Sequence, residues 1–429
     1  MKIKNKKKIA ITETRKIGLA LVEVGLNAID TTDFIKKNVF IKNNFLFIKE
    51  KKFSLEKVDN FYIVGVGKCS AEAAVAFGEV LDKRLNKGIV LDTHFSTKKN
   101  KKIKIFKGSH PLATVENIIF TKKIINFLKK TTKKDFVLMI ISGGGSALLC
   151  QPQNSTYKKE GEIIKCLMAK GASIEEINIV RKHLSLARGG FLAKYAYPAK
   201  VVSLIFSDVP GDKLEFIASG PTIKDTTTVA DAKKILKKYN IESQIGFKVD
   251  FLIETPKEDK YFKRVENILF LSNKEALTAM AGYARSLGYK AKIKTNKLKG
   301  EAYEIGRLIV EKLRKEKSKT VLLYGGETTV KILGKGKGGR NQELVLSVLR
   351  FIADNELVIA FASDGRDNTV VAGAIADKLT KQKAEKLKLD INRYLANNNS
   401  YEFFQKTGDF IKTGDTGSNV SDLIIAIKN

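Results

Sequence analysis

The feature that most constrains the fold of this chain is a repeated pairing of a short apolar run with a turn rich in glycine or other small residues. Apolar runs of about four to eight residues are typical of strands that are buried on both faces. In an open α/β sheet, ligands bind at the carboxyl ends of the strands, where such turns lie. The turns occupy residues 65–68, 142–146, 207–212, 325–329 and 363–365. The pattern therefore predicts a shared ligand cleft at strand ends, with a phosphate or a carboxylate as the bound group.

The order of the predicted elements indicates an α/β protein, because strands alternate with helical patterns. Strands are predicted at residues 61–66, 88–91, 136–141, 201–206, 268–271, 290–294, 320–324, 328–333, 357–362 and 423–427. Helices are predicted at residues 70–84, 115–130, 174–187, 274–287, 301–313 and from 341 onwards. We expect Rossmann-like or mixed sheets flanked by helices.

The length of 429 residues allows about two to four domains. Residues 240–265 are polar, lysine-rich and weakly periodic, which predicts a domain junction in this region. We therefore expect an N-terminal domain at residues 1–255 and a C-terminal domain at residues 256–429.

The basic charge of the chain suggests nucleic acid or an anionic membrane as a partner. The chain has 78 Lys and Arg residues against 46 Asp and Glu residues, a formal net charge of +32. Only 12 of the basic residues are Arg, the lysines are spread through nearly every segment, and Trp is absent. Nucleic-acid readers depend on Arg for bidentate and stacked contacts. We interpret the lysines as a solvated surface that attracts anionic small substrates, and we expect no nucleic-acid partner.

Simple counts disfavour several other classes of protein. The sequence has no run of about 18 apolar residues, so no membrane-spanning helix is predicted. The N-terminal segment lacks the apolar core of a signal peptide. The three cysteines have no CxxC spacing, which disfavours a disulfide scaffold or zinc site and favours a reducing cytoplasm. The three histidines exclude a His-rich metal site and give little support to a Ser-His-Asp hydrolase.

Two glycine segments resemble known phosphate-binding patterns. Gly67 and Lys68 fail the Walker A pattern, because Cys69 follows and the upstream glycine is missing. Residues 334–339 match GxGxxG, but no acidic residue for the ribose is clearly placed about 20 residues further on. We favour a mobile anion-binding loop at 334–339 over a dinucleotide site.

Lys68 follows a predicted buried strand and stands at the start of a predicted helix. A lysine in this position is unfavourable against the helix dipole unless an anion is bound. Asp208, Asp212 and Asp364, also at strand ends, are candidates for a Mg²⁺ ligand or a general base. Arg340 follows the glycine run and is a candidate for stabilising charge on a transferred phosphoryl group. For each acid, and for Arg340, a helix cap or an ordinary ion pair is the alternative.

Polar residues fall on one face of the predicted helix 174–187, at i, i+3 and i+4 spacing. They include Arg181 and Ser185, with Asn178 before them and Arg188 after them. The stripe is either solvent-facing or a clamp for a carboxylate. His110 precedes Pro111 in a turn, and both a structural and a catalytic role are open.

Taken together, these motifs resemble those of the glycerate 2-kinases that combine an N-terminal glycerate kinase domain with a C-terminal MOFRL domain. The matching segments run in family order from residue 66 to residue 420 and cover most of the chain. They comprise residues 66–68, 110–111, 141–147, 178–185, 188–190, 207–212, 218–222, 325–330, 338–343, 362–365, 372–374 and 413–420.

The resemblance implies ATP-dependent phosphorylation of D-glycerate to 2-phosphoglycerate with Mg²⁺, in a cleft between the two domains. It implies catalytic roles for Lys68, Asp208 and Arg340, with Asp208 and Asp364 as candidate metal ligands. Substrate or phosphate would contact the following residues: Ser142, Gly143, Gly144, Gly145, Ser146, Arg181 and Ser185. The nucleotide would contact a second set: Gly325, Gly326, Glu327, Thr328 and Asn341.

Two rival functions stay open at this stage. An NAD(P)H-dependent hydroxypyruvate reductase is the first, since this family has also carried that label; it needs a dinucleotide site at 334–339 and a proton donor such as His110. A nucleic-acid binder driven by the charge of +32 is the second. We expect a cytoplasmic kinase with small-molecule partners only, no membrane partner, and a monomeric or homodimeric state.

Overall fold

The structure, a computed structural model, describes residues 2–153, 155–246 and 251–429. It divides into two compact units. The unit that we call the parallel-sheet unit contains Thr31–Ser207 and Lys213–Phe270. The mixed-sheet unit contains the described residues up to Asp30, together with Asp208–Asp212 and Leu271–Asn429.

The helices, in chain order, are α1 Lys6–Ile9, α2 Glu13–Ala28, α3 Thr31–Asn38, α4 Ser70–Leu81, α5 Val115–Leu128, α6 Gly145–Leu148, α7 Tyr157–Ala169, α8 Ile174–Lys182, α9 Phe191–Ala196, α10 Val229–Lys238, α11 Ile241–Ile245, α12 Asn273–Ser286, α13 Ala302–Arg314, α14 Arg340–Val348, α15 Lys378–Lys386, α16 Ile391–Ala396 and α17 Ser400–Thr407. The strands are β1 Val39–Lys42, β2 Phe45–Ile48, β3 Lys51–Ser54, β4 Asn60–Val66, β5 Leu85–Asp92, β6 Ile103–Lys107, β7 Asp135–Ile141, β8 Lys200–Phe206, β9 Val265–Leu271, β10 Lys290–Leu298, β11 Thr320–Gly326, β12 Glu356–Ala362, β13 Gly373–Asp377, β14 Phe410–Ile411 and β15 Asp422–Lys428.

The main sheet of the parallel-sheet unit has the strand order β6-β5-β4-β7-β8-β9. β4 pairs in parallel with both β5 and β7, and the outer pairs β5–β6 and β7–β8 are also parallel. The chain runs outward from β4 to β6 and then returns to β7 on the other side of β4. The topological switch point, where open α/β sheets bind ligands, therefore lies at the carboxyl ends of β4 and β7.

The mixed-sheet unit is built on the strand order β10-β11-β15-β12-β13-β14. β10 and β11 are parallel, whereas β15 runs antiparallel to both β11 and β12. Buried residues of α13 and α14 pack on this sheet in one apolar cluster. This confirms the predicted α/β class with mixed sheets flanked by helices.

The two units do not follow the predicted domain boundary between residues 255 and 256. β9 is the edge strand of the parallel sheet, so the chain up to Phe270 belongs to the first unit. The N-terminal helix α2 packs instead in the mixed-sheet unit. A Cβ on Gly18 would lie 2.8 Å from Cδ1 of Ile359, and one on Gly25 would lie 3.0 Å from Sδ of Met280. Both contacts are long-range, and local sequence patterns do not reveal them.

A small antiparallel sheet, β1-β2-β3, was not predicted from the sequence. Its first hairpin places Lys42 opposite Phe45, with Asn43 and Asn44 between them at φ 48° and 62°. Two consecutive positive φ angles are the mark of a type I′ turn, in which asparagine is favoured. The Asn-Asn pair was thus the signal that could have revealed this hairpin.

Two predicted elements are wrong. The helix predicted at 174–187 ends at Lys182, because Leu186 N–H turns away to donate to the carbonyl of Gln151. The strand predicted at 328–333 is absent from the described structure; Thr329 forms only an isolated bridge with Glu301. No described helix is long and apolar enough to cross a membrane.

Candidate active site

The loops that follow β4 and β7 are joined by backbone hydrogen bonds at the switch point. Ser142 N–H donates to the carbonyl of Val66 at 2.9 Å, and Lys68 N–H donates to the carbonyl of Gly143 at 2.9 Å. Gly67 has φ +125°, and a Cβ there would lie 2.1 Å from Oγ of Ser142. Only glycine permits this approach, so the two predicted glycine turns form one structural unit.

Lys68 lies against the backbone of the 142–146 loop together with His110. A Cβ on Gly144, which has φ +79°, would lie 3.1 Å from Cγ of Lys68 and 3.1 Å from Cδ2 of His110. α4 begins two residues after Lys68, so the amino end of a 12-residue helix adjoins the same loop. The N–H groups of Gly143 and Gly144 donate to no other described residue. Lys68 and the 142–146 loop therefore lie side by side in the structure.

Arg181 lies in the last turn of α8 as a half-buried cation. Burial, together with the charge of Arg188, lowers the pKa of Arg181 to about 10, although Glu160 partly offsets this. Burial, followed by the charges of Lys68 and Arg181, lowers the pKa of His110 to about 4. Within the described ranges, neither Lys68 nor Arg181 forms an ion pair with a carboxylate. This part of the site is cationic and suits an anion.

Arg188 is fully buried and does not share the exposure of Arg181. Its Nη2 lies 2.6 Å from Oε1 of Glu160, and its Nη1 donates to the carbonyl of Arg181 at 3.2 Å. Arg188 therefore holds the end of α8 rather than facing a ligand. The predicted polar stripe is split by the end of the helix: Arg181 faces the cationic site, and Arg188 supports it from inside.

Ser146 belongs to a chain of hydroxyl and amide groups. Its Oγ lies 2.8 Å from Oγ of Ser219, which donates to Oδ1 of Asn178 at 2.9 Å. Ser142 is buried, with its Oγ 3.4 Å from the N–H of Cys69. These contacts fix the loop from both ends.

Ser185, whose substrate role stays a prediction, is engaged with the backbone in this structure. Its side chain is fully buried, donates to the carbonyl of Leu149 at 3.1 Å and accepts from Gln151 N–H at 3.0 Å. The hydroxyl proton is thus used in a hydrogen bond to the backbone. Because α8 ends at Lys182, the chain after it places the Ser185 side chain in the core.

In the mixed-sheet unit, Arg340 is the first residue of α14 and is held by two carboxylates. Its Nε donates to Oδ2 of Asp422 at 2.5 Å, and its Nη2 donates to Oε1 of Glu327 at 2.7 Å. Burial lowers the pKa of Arg340, but the carboxylates outweigh it and the net shift is upward. The guanidinium is therefore a fixed, fully charged group.

Asp367 caps the same helix from a distant segment. Its carboxylate accepts from the N–H groups of Asn341 at 3.1 Å and Gln342 at 2.8 Å, and also from the amide of Asn341 at 3.2 Å. Burial raises the pKa of Asp367 against these hydrogen bonds. Asn341, predicted to bind nucleotide, is thus engaged with Asp367 in this structure.

A cavity of about 580 Å³ lies beside these groups. Its lining includes Thr328, Gly338, Arg340, Glu343, Asp367 and Asn398. Burial raises the pKa of Glu343 to about 7, and it also raises the pKa of Asp422 to about 7 despite the charge of Arg340. The carboxylates here outnumber the cation, so a bound cation would stabilise their charged forms.

Gly325 and Gly326 have a structural explanation that differs from the predicted nucleotide contact. They end β11, where a Cβ would lie 2.8 Å from Nδ2 of Asn273 or 2.3 Å from the backbone nitrogen of Leu298, respectively. The missing side chains serve close packing in the sheet. Of the other residues in this turn, Glu327 holds Arg340 and Thr328 lines the cavity.

Asp208 and Asp364, the predicted metal ligands, both belong to the mixed-sheet unit and follow β8 and β12. Asp208 Oδ2 accepts from Nδ2 of Asn419 at 3.4 Å, and Asp364 Oδ1 accepts from Arg366 N–H at 2.9 Å. The described residues contain no group of three or more His, Cys, Asp or Glu that could hold a metal ion. Mg²⁺ usually binds through one or two carboxylates plus phosphates and water, and these oxygen donors fit that pattern.

Sequence reasoning missed Asp422, Asp367, Glu343 and Glu160. Asp422 was detectable as an acid at the head of the apolar strand β15, and Glu343 lies within the glycine–Arg340 motif. Glu160 carried no signal in the sequence. It lies in α7, and its partner Arg188 lies 28 positions further on, between α8 and α9.

Comparisons with known proteins identify the family of the chain. A family model described as a domain of unknown function, DUF4147, matches residues 18–254, and the MOFRL family matches residues 320–422. The glycerate 2-kinase of Pyrococcus horikoshii is 39% identical, and the alignment covers 97% of each chain. A putative hydroxypyruvate reductase of Agrobacterium vitis is 35% identical over 84% of this chain and 85% of its own.

The fold also matches a solved structure. The crystal structure of a glycerate kinase from Thermotoga maritima superposes with a TM-score of 0.85 at 35% identity, covering 96% of this chain and 99% of that one. With two family models in the expected order and relatives above 30% identity over nearly the whole length, the chain belongs to the glycerate 2-kinase family of DUF4147–MOFRL proteins.

Proposed function

We propose that this protein catalyses the ATP-dependent phosphorylation of D-glycerate at O2, giving 2-phosphoglycerate and ADP. The observation that carries the proposal is the cationic site at the switch point of the parallel sheet. Lys68 lies beside a glycine loop, and the charges of Lys68 and Arg181 both act on His110. Neither cation forms an ion pair with an acid among the described residues. Small acids and phosphates supply the negative charge that such a site lacks.

In the parallel-sheet unit, we assign Lys68, Arg181 and the 142–146 loop to the anionic groups of the substrate and product. Arg181 offers a planar donor fork that suits a carboxylate. Lys68 is a compact charge that can follow a phosphoryl group as it moves. The backbone N–H groups of Gly143 and Gly144 add hydrogen-bond donors at the same loop. Ser146 gives its proton to Ser219, so its Oγ is available as an acceptor.

In the mixed-sheet unit, Arg340 is our candidate for neutralising charge on the transferred phosphoryl group. Asp422 and Glu327 fix its guanidinium before substrate arrives, so little reorganisation is needed during the reaction. Asp208 and Asp364 are our candidates for holding Mg²⁺, which would neutralise phosphate charge when bound.

The reaction is an in-line displacement. The O2 oxygen of glycerate forms a bond to the γ-phosphorus while the bond from that phosphorus to the β–γ bridging oxygen breaks, and ADP leaves. The O2 proton goes to a base; Asp208 is our candidate for this role as the alternative to holding Mg²⁺. Positioning and charge neutralisation supply most of the rate in this class of reaction.

The reductase alternative gains no support from the site. It required a proton donor, and His110 was the candidate; with a pKa near 4, His110 is neutral at pH 7. A neutral imidazole is a weak acid and gives up a proton poorly. The kinase reaction uses the same cationic surroundings without that requirement.

The partners of the reaction are ATP and D-glycerate, and we propose a cytoplasmic location. Cys69, Cys150 and Cys166 are free thiols, which fits a reducing compartment. We keep the expectation of a monomer or homodimer that binds neither nucleic acid nor membrane.

The test is ADP release with D-glycerate, ATP and Mg²⁺, with the product isomer identified by coupling to enolase. A signal with enolase alone is the expected result. ADP release that needs a phosphoglycerate mutase before enolase would move the phosphate to O3 and contradict the proposed position. Absence of ADP release from folded protein, with nicotinamide oxidation on hydroxypyruvate, would replace the kinase by the reductase.

A further inference from the structure

The glycine-rich loop at residues 331–338 is held by three consecutive asparagines. Asn398 Oδ1 accepts from Leu333 N–H at 2.6 Å and from Gly334 N–H at 2.9 Å. Lys335 N–H donates to Oδ1 of Asn397 at 3.1 Å, and Lys337 N–H donates to Oδ1 of Asn399 at 3.1 Å. Gly336 N–H donates to the carbonyl of Asn397 at 2.8 Å. Residues 397–399 thus satisfy five successive N–H groups of the loop.

The glycines of the loop are explained by this contact. A Cβ on Gly334 would lie 2.4 Å from Oδ1 of Asn397, and one on Gly336 would lie 2.4 Å from the carbonyl oxygen of Asn397. The GxGxxG match at 334–339 therefore arises from close packing on the asparagines. The N–H groups that would hold a pyrophosphate in a dinucleotide fold are already used.

Because the glycines of the loop pack on the asparagines, the lysine side chains between them are exposed to solvent. Lys331, Lys335 and Lys337 are exposed, and none forms an ion pair with an acid in the described part of the chain. Gly336 and Gly338 line the same cavity as Arg340. The loop thus brings unpaired cations to the rim of a cavity that already contains a fixed guanidinium.

Asn398 ties the loop to the interior of that cavity. It is 9% exposed, and its Nδ2 donates to the carbonyl of Lys331 at 3.1 Å and to Oε1 of Glu343 at 3.4 Å. One side chain therefore contacts the start of the loop, its centre and a carboxylate of the cavity wall.

We propose that residues 397–399 are a positioning clamp that holds Lys335 and Lys337 where they contact the phosphates of the bound nucleotide. The inference rests on the proposed kinase function and deepens it. The asparagines do not touch the nucleotide; they reduce the conformational freedom that the loop would otherwise lose on binding, which is the general source of affinity from preorganisation. The lysine side chains, rather than the backbone N–H groups, make the contact.

The test compares Asn398→Ala with Asn392→Ala, an exposed asparagine on α16 whose loss should change nothing. Two measurements are made on the full chain: the rate of trypsin cleavage after Lys331, Lys335 and Lys337, and the KM for ATP and for D-glycerate. For Asn398→Ala we expect at least fivefold faster cleavage in the loop, a KM for ATP raised at least tenfold, and a KM for D-glycerate changed less than twofold.

Two further variants keep the proposal testable if Asn398→Ala fails to fold. Asn397 is exposed, so Asn397→Ala should fold and show the same effects at smaller size. The double variant Lys335→Ala, Lys337→Ala should raise the KM for ATP without changing the clamp itself. In the unaltered chain, ADP with Mg²⁺ should slow trypsin cleavage of the loop.

Two results would overturn the inference. Faster loop cleavage with an unchanged KM for ATP would show that the asparagines have a structural role only. An unchanged KM for ATP in the double lysine variant would remove the proposed phosphate contact. Failure of the kinase function would appear differently, as no turnover by the unaltered chain, and loop protection by ADP would then still report on the clamp.

Discussion

The two clusters of charged residues, one in each unit, differ in their balance of cations and carboxylates. At the switch point of the parallel sheet, Lys68 and Arg181 form no ion pair with an acid among the described residues; burial, followed by these two charges, lowers the pKa of His110 to about 4. In the mixed-sheet unit, Arg340 is surrounded by carboxylates, and the pKa values of Asp422 and Glu343 are raised to about 7.

The difference indicates different ligands. A cluster of unpaired cations is stabilised by an anion, as expected for glycerate and its phosphate ester. A cluster with more carboxylates than cations is stabilised by a cation, as expected where a magnesium nucleotide binds. Single substitutions in each cluster test this difference.

The largest effect is expected for Lys68→Ala. The loss of a charge that acts on the moving phosphoryl group should lower kcat about 1,000-fold, as measured by ADP release at saturating substrates. Lys87→Ala, which removes an exposed lysine of the same unit, serves as the control. Near-normal turnover of Lys68→Ala would remove the catalytic assignment.

Arg340→Lys should lower kcat about 100-fold, although the charge is kept. Lysine cannot bridge Asp422 and Glu327 with a planar fork, so the group loses its fixed position. The measurement is kcat with unchanged far-ultraviolet circular dichroism. Full activity of this variant would show that charge alone, without the fixed orientation, is sufficient.

Gly67→Ala should destabilise the protein by about 2 to 4 kcal/mol. The added methyl group must displace Ser142, and the alanine must adopt a φ that is unfavourable for any residue with a side chain. Gly171→Ala is the matched control: Gly171 has φ +74° and nothing within 4 Å of the added Cβ. It should cost only about 1 kcal/mol of backbone strain. Equal midpoints in urea unfolding for the two variants would contradict the proposed close approach of the loops.

Glu343 should make stability depend on pH. The pKa of Glu343 in the folded protein is about 7, above its ordinary value of 4.5. Its contribution to the free energy of unfolding is therefore fully present below pH 4.5 and is lost as the pH rises from 4.5 through 7. We therefore compare the free energy of unfolding of Glu343→Gln with that of the unaltered chain at each pH. The difference, variant minus unaltered chain, should be about 2 to 3 kcal/mol larger at pH 8 than at pH 5. Urea unfolding at both pH values measures this, and an equal difference at the two would refute the raised pKa.

The smallest effect is expected for Ser185→Ala. The change leaves Gln151 N–H and the carbonyl of Leu149 without their partner, at a cost of about 1 to 2 kcal/mol of stability. The KM for D-glycerate should change less than twofold. A large increase in that KM would restore the substrate role that the structure does not support.

The glycine turns show how far local patterns reach. The apolar runs before 65–68 and 142–146 predicted strands whose ends share a cleft, and the structure joins the two turns through Gly67 and Ser142. The turn at 325–329 followed the same rule, but its two glycines serve sheet packing. A glycine signals a close approach of the backbone without revealing whether a ligand or another strand approaches.

The sequence by itself determined the α/β class, the loop that carries Lys68, and the family, because these depend on short runs of apolar residues, glycines and their order along the chain. Only the tertiary structure decided the partners of the charged groups. Asp422 lies 82 positions from Arg340, and Asn398 lies 65 positions from Leu333. Such pairs form where the sheet brings distant segments together, and no local periodicity encodes which acid or amide will meet which donor.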